Sequence, residues 1–261
     1  RDYVRHMLGL DKPVWEQYGL WLGHAITGDL GKSLWTDRNI ASEIIHRLPI
    51  SLELGILAII TSMIIAIPIG IYSAVRQDTM GDYVGRSFAI LCISLPGFWL
   101  GTMVMVFPAV WWGWSPPMQY VPISENIGGN LIQFIIPAVI MGMVMSGTTM
   151  RMSRTMMLEV LRQDYIKTAW SKGLKERSVV LRHAMKNAMI PVVTIIGLQL
   201  PVLICGSVIM ERIFNLPGIG RLMLDALGQR DYPVISGVNI VMATAVLVIN
   251  LVVDVIYAYL D

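Results

Sequence analysis

Two glycine-containing stretches have residue types that could bind a nucleotide, and each falls short of a complete site. Gly28-Asp29-Leu30-Gly31-Lys32-Ser33 ends like a phosphate-binding loop, but Ile26 stands where the first glycine of that motif is required. Gly218-Ile219-Gly220 begins like a dinucleotide fingerprint, yet Met223 replaces the third glycine and no strand pattern precedes it. The chain is therefore not expected to use ATP or a dinucleotide by itself.

Side chains for acid–base, nucleophilic or metal chemistry are not grouped at membrane depth. The histidines (His6, His24, His46 and His183) lie outside the apolar stretches defined below, and no two carboxylates within those stretches share a helix face. Cys92 and Cys205 lie far apart in separate apolar stretches, which argues against a disulfide framework or a cysteine metal site. An intramembrane enzyme is therefore disfavoured, and no catalytic or metal-binding residue is predicted.

Polar residues inside apolar stretches remain as candidates, because they are costly in lipid and often functional. Asn250 and Asp254 are four residues apart and so share one helix face. Asp254 lies near the end of its stretch, which favours a packing or anchoring role. Gln199 and Asn250 are predicted to line a translocation path, and a hydrogen bond between helices is the alternative for Gln199.

The composition requires lipid as the solvent for much of the chain. Hydrophobic residues make up 55% of the sequence and charged residues 15%, and the mean hydropathy is +0.61. Five apolar stretches, near 50–75, 87–112, 132–150, 190–210 and 234–260, each approach the roughly 20 residues that a helix needs to cross a bilayer. An α-helix makes its backbone hydrogen bonds within itself, so a single helix can cross the lipid without unpaired backbone groups. The predicted fold is an all-α integral membrane protein with five spans.

Several prolines interrupt these stretches, and two explanations for them stay open. Kinked, closely packed helices use proline commonly, and a gated pathway needs the same feature. The prolines are Pro68, Pro96, Pro108, Pro137, Pro191 and Pro201.

The charges of the loops predict one orientation. Nine of the 20 Lys and Arg residues lie between Arg151 and Pro191, which marks that loop as cytoplasmic. The loop 113–131 has no Lys or Arg and is preceded by Trp111 and Trp112, as expected of the outer interface. The N-terminal segment is then outside and the C-terminus cytoplasmic, in a multi-pass protein of the plasma or inner membrane. Because the basic residues are concentrated in one loop, nucleic-acid binding is disfavoured.

Residues 1–49 are predicted to be an extracytoplasmic segment, and 50–261 the membrane domain. Trp15, Tyr18, Trp21 and Leu22 recur at helical spacing, so one amphipathic helix is expected either at the membrane surface or packed on the core. An outside start without a signal sequence implies a further span before Arg1, which would make six in the native protein.

The basic loop, 151–190, has its own helical signals. Asp164 is placed to cap a short helix over Tyr165–Lys172. Gly173 can take the left-handed conformation that ends a helix. A second helix is expected to resume near Lys175–Ser178 and to run toward Pro191.

The residues of this loop also carry a family resemblance. Tyr165–Leu174 reads Y-I-K-T-A-W-S-K-G-L, and Arg182-His183-Ala184, Asn187 and Pro191 follow. This pattern resembles the Glu-Ala-Ala loop of binding-protein-dependent ABC importer permeases, and is closest to the dipeptide/oligopeptide branch. Lys167 and Thr168 stand where the general motif has its Glu and first Ala.

The resemblance implies a type I ABC importer transmembrane domain and a set of partners. These are a second homologous permease, two cytoplasmic subunits that bind ATP and Mg, and an extracytoplasmic substrate-binding protein; the chain itself would bind no cofactor. The residues implied to couple to the ATPase are Tyr165, Thr168, Ala169, Lys172, Gly173, Leu174 and Lys175. Without the resemblance, the loop would be a solvated basic surface that only fixes topology.

A second resemblance lies in the loop from Glu211 to Pro233, expected to form a tight turn and a short helix. Leu216-Pro217-Gly218-Ile219-Gly220-Arg221-Leu222 and Arg230-Asp231-Tyr232-Pro233 resemble the segment between the last two spans of peptide permeases. The resemblance implies an outer gate or a binding-protein surface at Glu211, Phe214, Pro217, Gly218 and Arg221. Di- or oligopeptides are the implied cargo; nickel chelates, glutathione, sugars, or a non-ABC channel or secondary transporter are the alternatives.

Overall fold

The computed structural model describes residues 11–206 and 208–260, and their side chains except at 202–206 and 256–260. The prediction for His6 lies outside this described part, and the prediction for Cys205 concerns a side chain that the structure does not describe. Within it, the regular structure is helical, and one isolated antiparallel bridge joins Lys32 to Asn39. The predicted all-helical membrane fold is confirmed.

The helices follow one another with short connections. In chain order they are α1 (Val14–Ile26), α2 (Ile40–Val75), α3 (Met80–Ser94), α4 (Gly97–Trp112), α5 (Ile127–Leu161), α6 (Asp164–Ser171), α7 (Glu176–Ser178), α8 (Met185–Gly206), α9 (Val208–Ile213), α10 (Ile219–Gln229) and α11 (Tyr232–Leu260). A π-helical segment, Val179–Ala184, joins α7 to α8.

Four helical runs in the described residues are long and apolar enough to cross a membrane: Ile40–Val75, Ile127–Leu161, Glu176–Pro201 and Tyr232–Val255. A fifth exists if the pair α3 and α4 counts as one span, although the two helices are bent by 89°. The first run begins at Ile40 rather than at residue 50. The predicted boundary between the outer segment and the membrane domain therefore falls inside α2.

The bend between α3 and α4 has a local cause in the sequence. Leu95 is extended, with φ −88° and ψ 123°, because the ring of Pro96 disfavours the helical region for the residue before it. Pro96 then precedes the first turn of α4. The apolar stretch 87–112 is thus divided between two helices, although its composition is continuous.

α2 and α5 form the central packed pair, and glycine permits their close approach. A Cβ on Gly142 would lie 2.6 Å from the Thr61 Cβ and 2.7 Å from the Ala58 carbonyl oxygen. A Cβ on Gly70 of α2 would lie 2.8 Å from the Ser153 Cβ and 2.9 Å from the Met150 carbonyl oxygen, both in α5. Small residues at such contacts let lipid-embedded helices gain van der Waals contact along their backbones.

The two ends of α2 enter different clusters. Ile40 and Ile44 pack with Ile219, Ala226, Val234 and Val238 of α10 and α11. At the other end, Ala74 packs with Met157, Ile166, Ala169, Val179, Val180, Ala184 and Ala188. α2 has 36 residues, or about 54 Å of length. We call the two ends of the molecule the α10 end and the α6 end.

The helix predicted near Trp15 and Trp21 is confirmed as α1. None of its residues is buried by the part of the chain that the structure describes. The choice between the membrane surface and packing on the core stays a prediction.

The α2–α5 contact predicts that even a methyl group is too large at Gly142. We expect Gly142→Ala to lower the free energy of unfolding by about 1–3 kcal/mol through overpacking, measured as a lower unfolding temperature of the purified protein. Gly128→Ala in the same helix is the matched control, because the nearest atom to its Cβ is 3.5 Å away. Equal unfolding temperatures for the two variants would contradict the described packing.

Candidate functional site

α6 begins without a side-chain cap. Gln163 occupies the N-cap position, and Asp164 is already the first helical residue. Its carboxylate accepts a hydrogen bond from Lys167 Nζ at 2.8 Å instead, and this bond lowers the pKa of Asp164. The predicted capping role of Asp164 is therefore wrong, because the residue lies one position inside the helix.

The end of α6 is confirmed as predicted. Gly173 has φ +74°, the left-handed conformation that glycine adopts without a Cβ clash. Its amide donates to the Trp170 carbonyl at 2.9 Å, and the Leu174 amide donates to the Ala169 carbonyl at 3.4 Å. This pair of bonds is the Schellman motif, which satisfies the last carbonyls of a helix. The geometry of the turn therefore depends on residue 173.

The buried face of α6 joins the helix to three spans. Ile166 is 0% exposed and Ala169 is 7% exposed. They pack in one apolar cluster with Ala74 of α2, Met157 of α5 and Ala188 of α8. Because packed interiors resist deformation, a displacement of α6 would be passed to the ends of all three helices.

The opposite face of α6 and the turn after it are exposed. Six of the seven residues predicted to couple lie there: Tyr165, Thr168, Lys172, Gly173, Leu174 and Lys175. Ala169 does not, because it faces the chain's own core. Trp170 was not predicted, yet it is 46% exposed on this surface. A tryptophan within so short and polar a helix was the signal for it in the sequence.

Two polar contacts hold this segment against its neighbours. Asn187 Nδ2 donates to the Tyr165 hydroxyl oxygen at 2.7 Å, which ties α6 to α8. Arg76 forms a 3.0 Å ion pair with Glu176, which ties the α2–α3 turn to α7. Both contacts are exposed, so each is expected to contribute less than about 1 kcal/mol.

The helix predicted to resume near Lys175–Ser178 is confirmed, but the sequence did not predict that its next turns are π-helical. α7 continues through the π-helical segment into α8. Val179, Val180 and Ala184 of that segment are buried against α6. The wider π turn places these residues in the cluster, and such turns occur often at functional sites.

A buried carboxylate near the α6 end was missed by sequence reasoning. Asp82 is 0% exposed. Its two oxygens accept from Arg154 Nε and Nη2, each at 2.8 Å. The Ser73 hydroxyl and the Asp78 amide also donate to it. Asp82 thus connects α2, α3 and α5 through one charge.

Glu211 organises the α10 end. The buried Glu211 carboxylate accepts from the Ser51 hydroxyl at 2.7 Å and from the Arg221 amide at 2.9 Å. Ser51 Oγ in turn accepts from the Ile219 amide at 2.9 Å. A negative charge beside the free amides of a helix start is stabilising. The carboxylate of α9 and the hydroxyl of α2 therefore bind the first turn of α10.

The predicted outer-gate residues are mainly packed inside the α10 end. Phe214 and Gly218 are buried, and Pro217 is half-buried. Arg221 donates through Nη1 to Asn215 Oδ1 at 2.6 Å. A tight turn and a short helix are confirmed in this segment. The direct contact of these residues with a binding protein stays a prediction.

The segment before α2 folds onto the same end. Gly28 and Gly31 both have positive φ, so the stretch rejected as a phosphate loop forms turns. The Ser33 hydroxyl donates to Asp231 Oδ2 at 2.5 Å. Trp35 Nε1 donates to the Gln229 carbonyl at 2.9 Å. Ser33 and Trp35 thus hydrogen-bond the segment before α2 to the connection between α10 and α11.

The polar residues that the sequence singled out in the spans differ in their contacts and burial. Gln199 Nε2 donates to Thr149 Oγ1 at 3.3 Å, which is the inter-helix bond left open by the sequence. Asn250 is half-buried and Asp254 is exposed. In the described part of the chain, no group of three His, Cys, Asp or Glu residues could hold a metal.

Comparison with known proteins gives a family match over most of the chain. Residues 66–261 match the family described as binding-protein-dependent transport system inner membrane component. The dipeptide transport system permease protein DppB of Escherichia coli K12 is 36% identical, with 97% of this chain and 82% of that protein aligned. A putative peptide transport system permease of Brucella suis is 39% identical, with 100% and 83% aligned.

Solved structures show the same fold at low identity. A chain of the MetNI methionine ABC transporter in an inward-facing conformation has a TM-score of 0.66 and 16% identity, over 84% of this chain and 96% of that one. A chain of an amino acid ABC transporter has a TM-score of 0.64 and 11% identity, over 84% and 94%. The helical arrangement is thus that of ABC importer transmembrane domains.

The Asp82 cluster predicts a large cost for removing its charge. We expect Asp82→Asn to lower the free energy of unfolding by about 1–3 kcal/mol, because the partly buried guanidinium of Arg154 would lose its charged partner. Thermal unfolding of the purified protein would measure the change. Asp78→Asn is the control, since Asp78 is exposed and its positive φ suits asparagine. A loss no larger than that of the control would show that the Asp82–Arg154 pair does not hold the helices.

Proposed function

The chain belongs to the family of binding-protein-dependent transport system inner membrane components, and from this premise we propose that it is the permease subunit of an ATP-binding-cassette importer for di- or oligopeptides. The names of the aligned relatives support the cargo, because they are dipeptide or peptide transport permeases. Nickel chelates, glutathione or sugars are the competing cargoes within the same importer class. The identity of the molecule bound by the cognate extracytoplasmic protein would decide among them.

The observation that carries the proposal is the two-sided nature of α6. One side is packed with the ends of α2, α5 and α8. The other side presents Tyr165, Thr168, Trp170 and Lys172 to solvent. A helix of this kind can receive a push from another subunit and pass it into the membrane domain.

Energy for transport would come from partner subunits. Two cytoplasmic subunits would bind ATP and Mg and close on each other, and each would grip the exposed face of an α6 helix. The second α6 would come from a homologous permease, so that two chains enclose the path. Closure would rotate the packed helix ends and convert the pair from an inward-open to an outward-open state. This chain would itself remain non-hydrolytic.

The α10 end would receive the cargo. An extracytoplasmic substrate-binding protein would dock there and release its peptide into the opening between the two permeases. The network around Glu211 supports this role, because it holds α9, α10 and α2 as one unit. Gln199 and Asn250, at depth in the spans, are the candidates to line the path.

The proposal also fixes an orientation in the inner membrane. The α6 end would be cytoplasmic, because Arg151–Lys186 carries nine of the 20 basic side chains. The α10 end and residues 11–39 would face outward, and the C-terminus inward.

The docking role of α6 predicts that Gly173→Arg uncouples ATP hydrolysis from transport. Arginine in the left-handed region costs about 1–2 kcal/mol, which reduces the population of the docked geometry about 5- to 30-fold. We expect peptide uptake by proteoliposomes to fall by this factor while ATPase activity of the complex persists. Gly173→Asn is the matched control, because asparagine tolerates this conformation. Equal uptake by both variants would remove the docking role.

The orientation predicts which sites a membrane-impermeant maleimide reaches. In a background with Cys92→Ala and Cys205→Ala, we expect Ser115→Cys, in the loop after α4, to be labelled in intact spheroplasts. Lys172→Cys should be labelled only after permeabilisation, in cells that lack the ATP-binding subunits. Labelling of Lys172→Cys in intact spheroplasts would reverse the orientation and defeat the proposal.

A further inference from the structure

A polar cluster lies between α2 and α5, in the half of these helices nearer the α10 end. Asn130 is 0% exposed and Gln133 is 4% exposed, while Glu53 is half-buried. Asn130 is in the first turn of α5, and Glu53 is inside an apolar run that is long enough to cross the membrane. The members of the cluster are Glu53 of α2, Asn130 and Gln133 of α5, and Tyr120 and Val121 of the loop between α4 and α5.

The loop after α4 fixes the orientation of the Asn130 amide. Asn130 Nδ2 donates to the Val121 carbonyl oxygen at 3.1 Å. Gln133 Oε1 accepts from the Val121 amide at 3.1 Å. Because only the nitrogen of a side-chain amide can donate to a carbonyl, the Asn130 oxygen cannot take this place. The Asn130 oxygen must find a donor elsewhere.

Two acceptor oxygens in the cluster lack a donor. Glu53 Oε1 and Asn130 Oδ1 are both buried, and neither has a hydrogen-bond partner among the described residues. The two side chains are neighbours, since Asn130 is the polar side chain that interacts with the Glu53 carboxyl group. A buried polar atom without a partner carries the full desolvation cost of its group. Two such atoms on neighbouring side chains call for one shared donor.

The described basic residues do not supply that donor. None of them forms an ion pair with Glu53 or interacts with its carboxyl group. The other titratable groups in this region are Tyr120 and Glu125, and neither carries a positive charge. Leu54 and Phe134, which pack in the adjoining apolar cluster, are 0% exposed. An ionised Glu53 would therefore place an unpaired charge against an amide oxygen in apolar surroundings, which is costly.

We propose that Glu53 is a proton-binding site, in which the neutral carboxyl group donates its proton from Oε1 to Asn130 Oδ1. One proton then satisfies both oxygens. A neutral carboxylic acid has one O–H donor and an acceptor oxygen, which complement the oxygen and the N–H group of a primary amide.

The proton completes a network between two helices and a loop. Glu53 of α2 donates to Asn130, and Asn130 in turn donates to the Val121 carbonyl. Loss of the proton would set two acceptors against each other, so ionisation of Glu53 would release α2 from the network. The contact of α2 with the first turn of α5 thus depends on a bound proton.

Infrared difference spectroscopy of the full-length protein, assembled and reconstituted in lipid at neutral pH, tests the proton. The spectrum of the wild type minus that of Glu53→Gln should contain the carbonyl band of a protonated carboxyl group, and this band should shift in deuterium oxide. Glu159→Gln, at an exposed position of α5, is the matched control and should remove carboxylate bands alone. Loss of carboxylate bands from Glu53→Gln would overturn the proposal, because Glu53 would then be ionised and bound to water, a cation or a basic group of another subunit.

A second pair of variants tests the acceptor. Asn130→Leu should move the carboxyl band to higher frequency, because the O–H group loses its acceptor. Gln133→Leu removes a contact with the same loop residue and should leave the band in place. An unmoved band in Asn130→Leu would show that Asn130 does not receive the proton.

The stability of Glu53→Gln gives an independent check. Glutamine presents an N–H donor where the neutral acid has its O–H group, so this variant should keep the unfolding temperature of the wild type. A lower unfolding temperature would show that the negative charge itself is needed, which contradicts a bound proton. These measurements do not involve transport, so they stand or fall independently of the proposed cargo and partners.

Discussion

The structure depends on the burial of one face of a two-turn helix against the ends of three spans. Ile166 and Ala169 are excluded from solvent beside Ala74, Met157 and Ala188. An isolated helix of eight residues is unstable in water, because helix nucleation is unfavourable and so short a helix forms too few backbone hydrogen bonds to offset it. α6 therefore exists because its neighbours bury it, and the same burial makes it mechanically continuous with the membrane domain. The exposed half of the helix is then available to a partner without loss of the fold.

Buried carboxylates hold the two ends of the bundle, and each is fully engaged. Asp82 is bound by the guanidinium of Arg154 and by donors from α2 and the α2–α3 turn. Glu211 accepts hydrogen bonds from the first turn of α10 and from the hydroxyl of Ser51. Asp231 accepts a hydrogen bond from the hydroxyl of Ser33. Charges away from water are costly unless they are paired or hydrogen-bonded. Each carboxylate consequently joins particular helices, and removal of one partner would leave the other without its hydrogen bonds.

Between those ends the contacts are apolar and close. Lipid offers no hydrophobic drive for one helix to prefer another, so shape and small residues decide the pairing. Gly70 and Gly142 bring α2 and α5 into backbone contact. Pro68 and Pro137 remain inside these helices, whereas Pro96 separates α3 from α4 because the preceding residue leaves the helical region.

The sequence by itself determined the features whose causes are local or compositional. Apolar length revealed four spans and an apolar stretch that the structure divides into two bent helices. The nine basic residues set one loop apart from the others, and Gly173 marked the end of α6 because a left-handed residue there needs no distant partner. Only the tertiary structure decided that Ala169 faces inward, that Asp82 pairs with Arg154 at a separation of 72 residues, and that Glu211 pairs with Ser51 at 160. Periodicity and capping act within a turn or two of a helix. A buried charge instead takes its partner from whichever helix the packing brings beside it, and that choice is made by the whole bundle.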